Sequence, residues 1–168
     1  MKKLFIFTLI FILPLLLISC STEPVERDIS NIYIYHCGGG SRPYEEYKID
    51  FKNNKFTILY RGGYTGRIDE VKKDSPVVKS LSDSSIDEFF EAKKEYGFDN
   101  WENEYINNAF EDGHEWGIVI DYSDGNKKEI KGSNAYPETW DEMFVAFENL
   151  TGENVLRVKA DRLEKLLS

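Results

Sequence analysis

Histidine and cysteine are scarce here, two of each in 168 residues. His36 and His114, with Cys20 and Cys37, form no short-spaced ligand pair. Structural zinc sites are built from such pairs, so a zinc-ribbon or zinc-finger protein is excluded. Two cysteines also rule out a scaffold held by several disulfides. Basic residues are in deficit, with 21 Lys and Arg against 30 Asp and Glu and a formal net charge of −9. Binding to nucleic acid needs basic patches to meet the phosphates, and adsorption to anionic headgroups needs the same sign. Neither fits this chain. The Arg61-Gly62-Gly63 triplet and Arg67 are ordinary turn material. Long apolar runs are missing too. Spanning a bilayer takes roughly 20 apolar residues, and the single extended run, Leu4 to Ile18, is shorter. No repeat, low-complexity block or second linker divides the sequence.

That one apolar run is informative. Lys2 and Lys3 precede it, Thr8 and Pro14 alone interrupt it, and Ser19, Cys20, Ser21 and Thr22 follow. A positive segment, then an apolar one, then small residues is the layout of an export signal. The residues Leu17-Ile18-Ser19-Cys20 resemble the lipobox of bacterial lipoproteins, and the resemblance covers residues 1–20 only. It implies that the Cys20 thiol receives a diacylglyceryl group and that a signal peptidase cuts just before it. The new amino group is acylated as well in many species. Two or more chains give stable anchoring where one binds only marginally. In two-membrane bacteria, similar lipoproteins with serine after the cysteine usually reach the outer membrane, and Ser21 fits that.

Residues 1–19 are then a signal peptide, and residues 20–28 a lipidated cysteine with a polar tether. Residues 29–168 form one domain of normal size. Lys2 and Lys3 are the only charges removed, so the formal net charge moves from −9 to −11. The eight residues Ser21 to Asp28 reach at most about 28 Å when extended. Cys37 is left without a partner. A Cys20–Cys37 disulfide is the alternative, and it requires Cys20 to be unlipidated.

The domain opens with strand-like residues 29–36, Ile32 and Ile34 alternating with Tyr33 and Tyr35. After the glycine-rich stretch Gly38-Gly39-Gly40, Tyr47, Ile49, Phe51, Phe56, Ile58 and Tyr60 alternate with polar residues about Asn53-Asn54. This predicts a hairpin over 45–60. Ser85 with Glu88 has capping-box spacing, and Ile86, Phe89 and Phe90 mark an apolar stripe, so a helix is expected over 84–96, closed by Gly97. A second hairpin is expected over 116–131 with a two-residue Asp124-Gly125 turn. Trp140, Met143, Phe144, Phe147 and Leu150 define a helix that Pro137 would begin and Gly152 end. A last helix is expected at 160–167. Two hairpins, two or three helices and no βαβ rhythm predict an α+β domain with an antiparallel sheet.

Chemistry is thinly marked. His36-Cys37 beside Gly38, Gly39 and Gly40, with His114 and Glu115 distant in sequence, is the most suggestive group. A histidine must reach a cysteine to activate it, yet neighbours in a strand point to opposite faces. No local segment resembles a cysteine-enzyme signature. The stretch 97–115 is acidic, but neither it nor 121–129 has calcium-loop spacing, and a solvated loop is expected. Trp140 and Trp116 read as core. Trp101, among Asn100, Glu102 and Asn103, reads as surface-placed. The expected contact surface is therefore His36, Cys37, Gly38, Gly39, Gly40 and Trp101. No metal or cofactor is expected. The leading expectation is a lipid-anchored, non-enzymatic binding protein of immunity or inhibitor type, on the exported side of a cell or outer membrane, with an envelope or basic protein as partner. A structural envelope component and a Cys37 enzyme are the alternatives.

Overall fold

Alternation decides which side of the sheet each strand buries. In the computed structural model, residues 28–38, 43–61, 76–109 and 114–156 are described. Residues 1–27, with Cys20 and most of the tether, lie outside them. So do Gly39, Gly40, Gly62, Gly63, Arg67 and the helix expected at 160–167. The elements are β1 (Ile29–Gly38), β2 (Pro43–Asp50), β3 (Lys55–Arg61), β4 (Val77–Ser80), α1 (Asp83–Glu95), a 3₁₀ turn (Phe98–Asn100), β5 (Glu104–Ile106), β6 (His114–Tyr122), β7 (Lys127–Ser133) and α2 (Trp140–Thr151). The strands form one seven-stranded sheet in the order β4-β3-β2-β1-β6-β7-β5. Every neighbouring pair is antiparallel except β5 with β7, which is parallel. This is an α+β architecture with a mostly antiparallel sheet.

One face of the sheet is apolar and carries both helices. Ile32 and Ile34 of β1 stand beside Ile49 and Tyr47 of β2 and beside Ile120 and Ile118 of β6. All six are buried, together with Phe56, Ile58 and Ile130. Onto them α1 lays Ile86, Phe89 and Phe90, and α2 lays Trp140, Met143, Phe147 and Leu150. Phe89 meets Phe51 of the β2–β3 turn at 5.5 Å and Phe147 of α2 at 4.8 Å between ring centroids. Such pairs add to simple burial.

Local signals shift several boundaries. The cap of α1 is Ser82, whose hydroxyl accepts from Ser85 N–H at 3.1 Å, so the expected Ser85–Glu88 box is not the one used. Gly97 follows the helix at φ 63°, the left-handed conformation that suits glycine. Pro137 precedes α2 rather than opening it, and Thr139 is the cap position. Between β6 and β7 the loop is one residue longer than expected. Gly125 N–H donates to Tyr122 O at 3.1 Å and Tyr122 N–H to Asn126 O at 2.9 Å, with Gly125 at φ 91°. That is a type I turn followed by a positive-φ residue, the usual three-residue hairpin.

The chain enters the domain at a tight ionic junction. Lys93 of α1 is 6% exposed, and its ammonium reaches Asp28 at 3.0 Å and Asp99 at 2.5 Å. Burial pulls the Lys93 pKa down, but the two carboxylates outweigh it and the net shift is upward. Ser123 N–H also donates to Asp28 O at 2.7 Å, which places the entry point at the β6–β7 turn end of the sheet.

Candidate functional site

The far end of β1 brings the two histidines together. His36 faces the covered side, and the pairing of Gly38 with His114 sets the second imidazole close to it. His36 Nδ1 lies 2.8 Å from His114 Nε2, and His36 Nε2 lies 2.5 Å from the Val155 carbonyl oxygen. His114 Nδ1 lies 3.2 Å from the Tyr136 hydroxyl. Hydrogen-bond logic assigns the protons. A carbonyl only accepts, so His36 Nε2–H donates to Val155 and, in the neutral ring, Nδ1 accepts. His114 Nε2–H therefore donates to His36, and the Tyr136 hydroxyl donates to His114 Nδ1. The chain Tyr136–His114–His36–Val155 occupies both nitrogens of both rings.

This arrangement is built to hold the segment after α2 against the sheet. His36 is fully buried, and the Trp116 indole N–H beside it donates to Ala135 O at 3.1 Å. Both ring nitrogens of His36 are thus engaged within the fold. Among the described residues, no group of three or more His, Cys, Asp or Glu is placed to hold a metal ion.

Cys37 points to the other side of the sheet, as alternation requires. It is a free thiol, 8% exposed. Burial pushes its pKa up, and the Glu115 and Glu46 carboxylates push it further. A nucleophilic cysteine needs the opposite. Gly38 is the last residue of β1 and pairs with His114. Trp101 overturns the expectation of an exposed aromatic. It is 5% exposed, stacks on Trp140 at 5.7 Å, and its indole N–H donates to Thr139 Oγ1 at 3.0 Å. The left-handed Gly97 and the 3₁₀ turn fold it back into the core, whatever the polarity of its neighbours. His36, Cys37 and Gly38 are thus adjacent but divided between two faces, and Trp101 belongs to neither surface.

A different surface carries exposed chemistry. On the side opposite the helices, Tyr33, Tyr35, Leu59 and Val119 are half-buried. Lys48 Nζ sits 5.4 Å from the centroid of the Tyr33 ring. The Tyr35 ring lies across Gly117, its register partner, so closely that a Cβ there would enter the ring. Beside Tyr35 is a hollow of about 260 Å³ towards Glu46 and Leu59. On its other side a hollow of about 160 Å³ is lined by Tyr35, Glu104, Ile106, Glu115 and Lys131 among others. Burial raises the Tyr35 pKa first, then the Glu129 carboxylate; Lys131 offsets part of this. The predictive signal for this face was the tyrosine pair alternating with Ile32 and Ile34; the contribution of β5 has no counterpart in the sequence pattern.

Compared with protein families, curated proteins and solved structures, the chain matches none.

Proposed function

We propose that this protein is exported, held on a membrane through lipid on Cys20, and acts at the cell envelope by binding another protein whose surface is basic. The observation that carries the binding reading is the helix-free face of the sheet. Its centre is aromatic and aliphatic, and Glu46, Glu104, Glu115 and Glu129 stand around it, exposed or half-exposed. An apolar centre with a charged surround is the usual composition of a protein–protein contact. The formal net charge, −9 for the whole chain and −11 without residues 1–19, selects a partner of opposite sign and favours fast encounter. A basic envelope-active hydrolase of lysozyme type fits that description.

The surroundings of the thiol favour the binding reading over the enzyme. Cys37 is raised rather than lowered, and both imidazole nitrogens of His36 are committed elsewhere. A pH series of alkylation rates is expected to show Cys37 slower than an ordinary free cysteine across pH 6–9, and a fast, low-pH rate profile would restore the enzyme. For the binding reading, the full-length chain in detergent micelles is titrated by calorimetry against a panel of basic exported hydrolases. Binding to at least one, weakening steeply as salt is raised, is expected. No binding at low ionic strength, where charge attraction is strongest, would sink it.

A further inference from the structure

Resting on that reading, we infer that the smaller hollow, between Tyr35, Glu104 and Glu115, takes up an arginine or lysine side chain of the protein partner. Two rows of the sheet build it. One row runs Tyr35, Gly117, Lys131, Glu104, and the next runs Cys37, Glu115, Ser133, Ile106. Neighbouring strands are about 4.8 Å apart, so Glu115 and Glu104 lie diagonally across the hollow. Gly117 has no side chain, and this lets the Tyr35 ring lie along one side. Ile106, 51% exposed, forms another.

Each part matches a part of a long basic side chain. A guanidinium or ammonium donates charge-assisted hydrogen bonds to two carboxylates. The tyrosine ring face attracts the same cation, and Ile106 offers apolar contact to the methylene stem. The carboxylates are available for it. Lys131 is the resident cation, and its Nζ is drawn to Glu129 at 3.1 Å. Among the described residues neither Glu104 nor Glu115 has a side-chain ion pair or hydrogen bond. The volume, about 160 Å³, admits the end of one side chain and not a folded ligand. Placement agrees as well. Asp28 marks one end of β1, and Tyr35 lies seven residues on, about 23 Å at the rise of an extended strand. The hollow therefore sits at the end of the sheet away from the tether.

Two arms separate this inference from the reading it rests on. In the first, N-acetyl-arginine methylamide and the citrulline analogue, equal in shape and uncharged, are titrated into the isotope-labelled full-length chain in micelles. The arginine compound is expected to move the amide signals of Glu104, Ile106, Glu115 and Gly117 saturably, and Glu104→Gln with Glu115→Gln to abolish the shifts. Equal response to citrulline, or shifts spread over the whole acidic surface, overturns the hollow. In the second arm, whichever basic hydrolase binds the wild type is measured against the same double variant. At least tenfold weakening is expected, against less than twofold for Glu142→Gln with Glu148→Gln on α2. Equal weakening by both pairs overturns the hollow and leaves the binding reading standing. Uptake of the arginine compound with every hydrolase failing refutes the hydrolase partner and keeps the basic side chain as occupant.

Discussion

Two glycines in neighbouring strands meet the same steric problem on opposite faces, and the outcome of adding a methyl group to each should differ sharply. A Cβ on Gly132 would fall within 2.1–2.3 Å of Cε2, Nε1 and Cζ2 of the Trp116 indole, and a Cβ on Gly117 would enter the Tyr35 ring. Trp116 is 1% exposed and has nowhere to go. Its ring packs at 4.4 Å from Trp140 and 6.1 Å from Tyr136, and its N–H is bonded to Ala135 O. Overpacking of this kind costs about 1–3 kcal/mol, and displacing the indole loses a hydrogen bond of about 1 kcal/mol. Gly132→Ala should therefore destabilise by about 2–4 kcal/mol, or roughly 5–15 °C in a chain of this size. Tyr35 stands on the open face and can swing towards solvent. Stiffening the unfolded chain offsets about 0.4–1 kcal/mol at either site, so the difference between them rests on whether the ring can move. Gly117→Ala should cost about 1 kcal/mol or less while displacing the wall of the hollow. Urea unfolding of the two variants, with unchanged slope, measures the difference. Two costs within about 0.5 kcal/mol of each other would refute the distinction between a locked and an open face.

Trp101→Ala should behave as a core truncation and cost about 3–5 kcal/mol; a change below about 0.5 kcal/mol in urea unfolding would mean that the ring is a surface platform after all. In alkali, Tyr122 is pushed up to about 12 from 10.0 by burial and by Asp99. A folded form that holds its proton more tightly than the unfolded chain is favoured at lower pH, and that advantage disappears as pH climbs from about 10 to 12. Lys93, also raised, declines in the same direction. Tyr122→Phe should make the alkaline fall of the unfolding midpoint shallower, and an unchanged slope would contradict the linkage.

Strands with clean alternation were legible residue by residue. Ile32, Ile34, Tyr47, Ile49, Phe56, Ile58, Ile118 and Ile120 are all buried on one face, because a period of two needs no tertiary knowledge. The stripe of α2 was legible for the same reason. The edges were not. β4 is four residues with two adjacent exposed valines, Val77 and Val78, and β5 is three residues with only Tyr105 turned inward. Segments that short hold no period, and the parallel β5–β7 pairing arises from a chain reversal after α1. The capping-box spacing pointed to Ser85, whereas the helix uses Ser82, three residues earlier. The histidine pair spans 78 positions, a separation that only the sheet register bridges. The open-face hollow draws on four strands at once, β1, β6, β7 and β5, the last of them unseen in the pattern.

The location of β1 has a mechanical consequence. It is the central strand, bonded to β2 on one side and to β6 on the other, and its first residue follows directly from Asp28. Ladder hydrogen bonds run across the strands. A pull on the chain ahead of Asp28, of the kind the proposed lipid anchor would transmit, therefore acts along β1 and loads both ladders in shear, all their bonds sharing the force. An edge strand pulled from its end would instead peel open bond by bond. The Lys93 junction with Asp28 adds a brace at the point where the force arrives. Under the proposed anchoring, a partner dragging the domain would work against the central strand, which is paired on both sides.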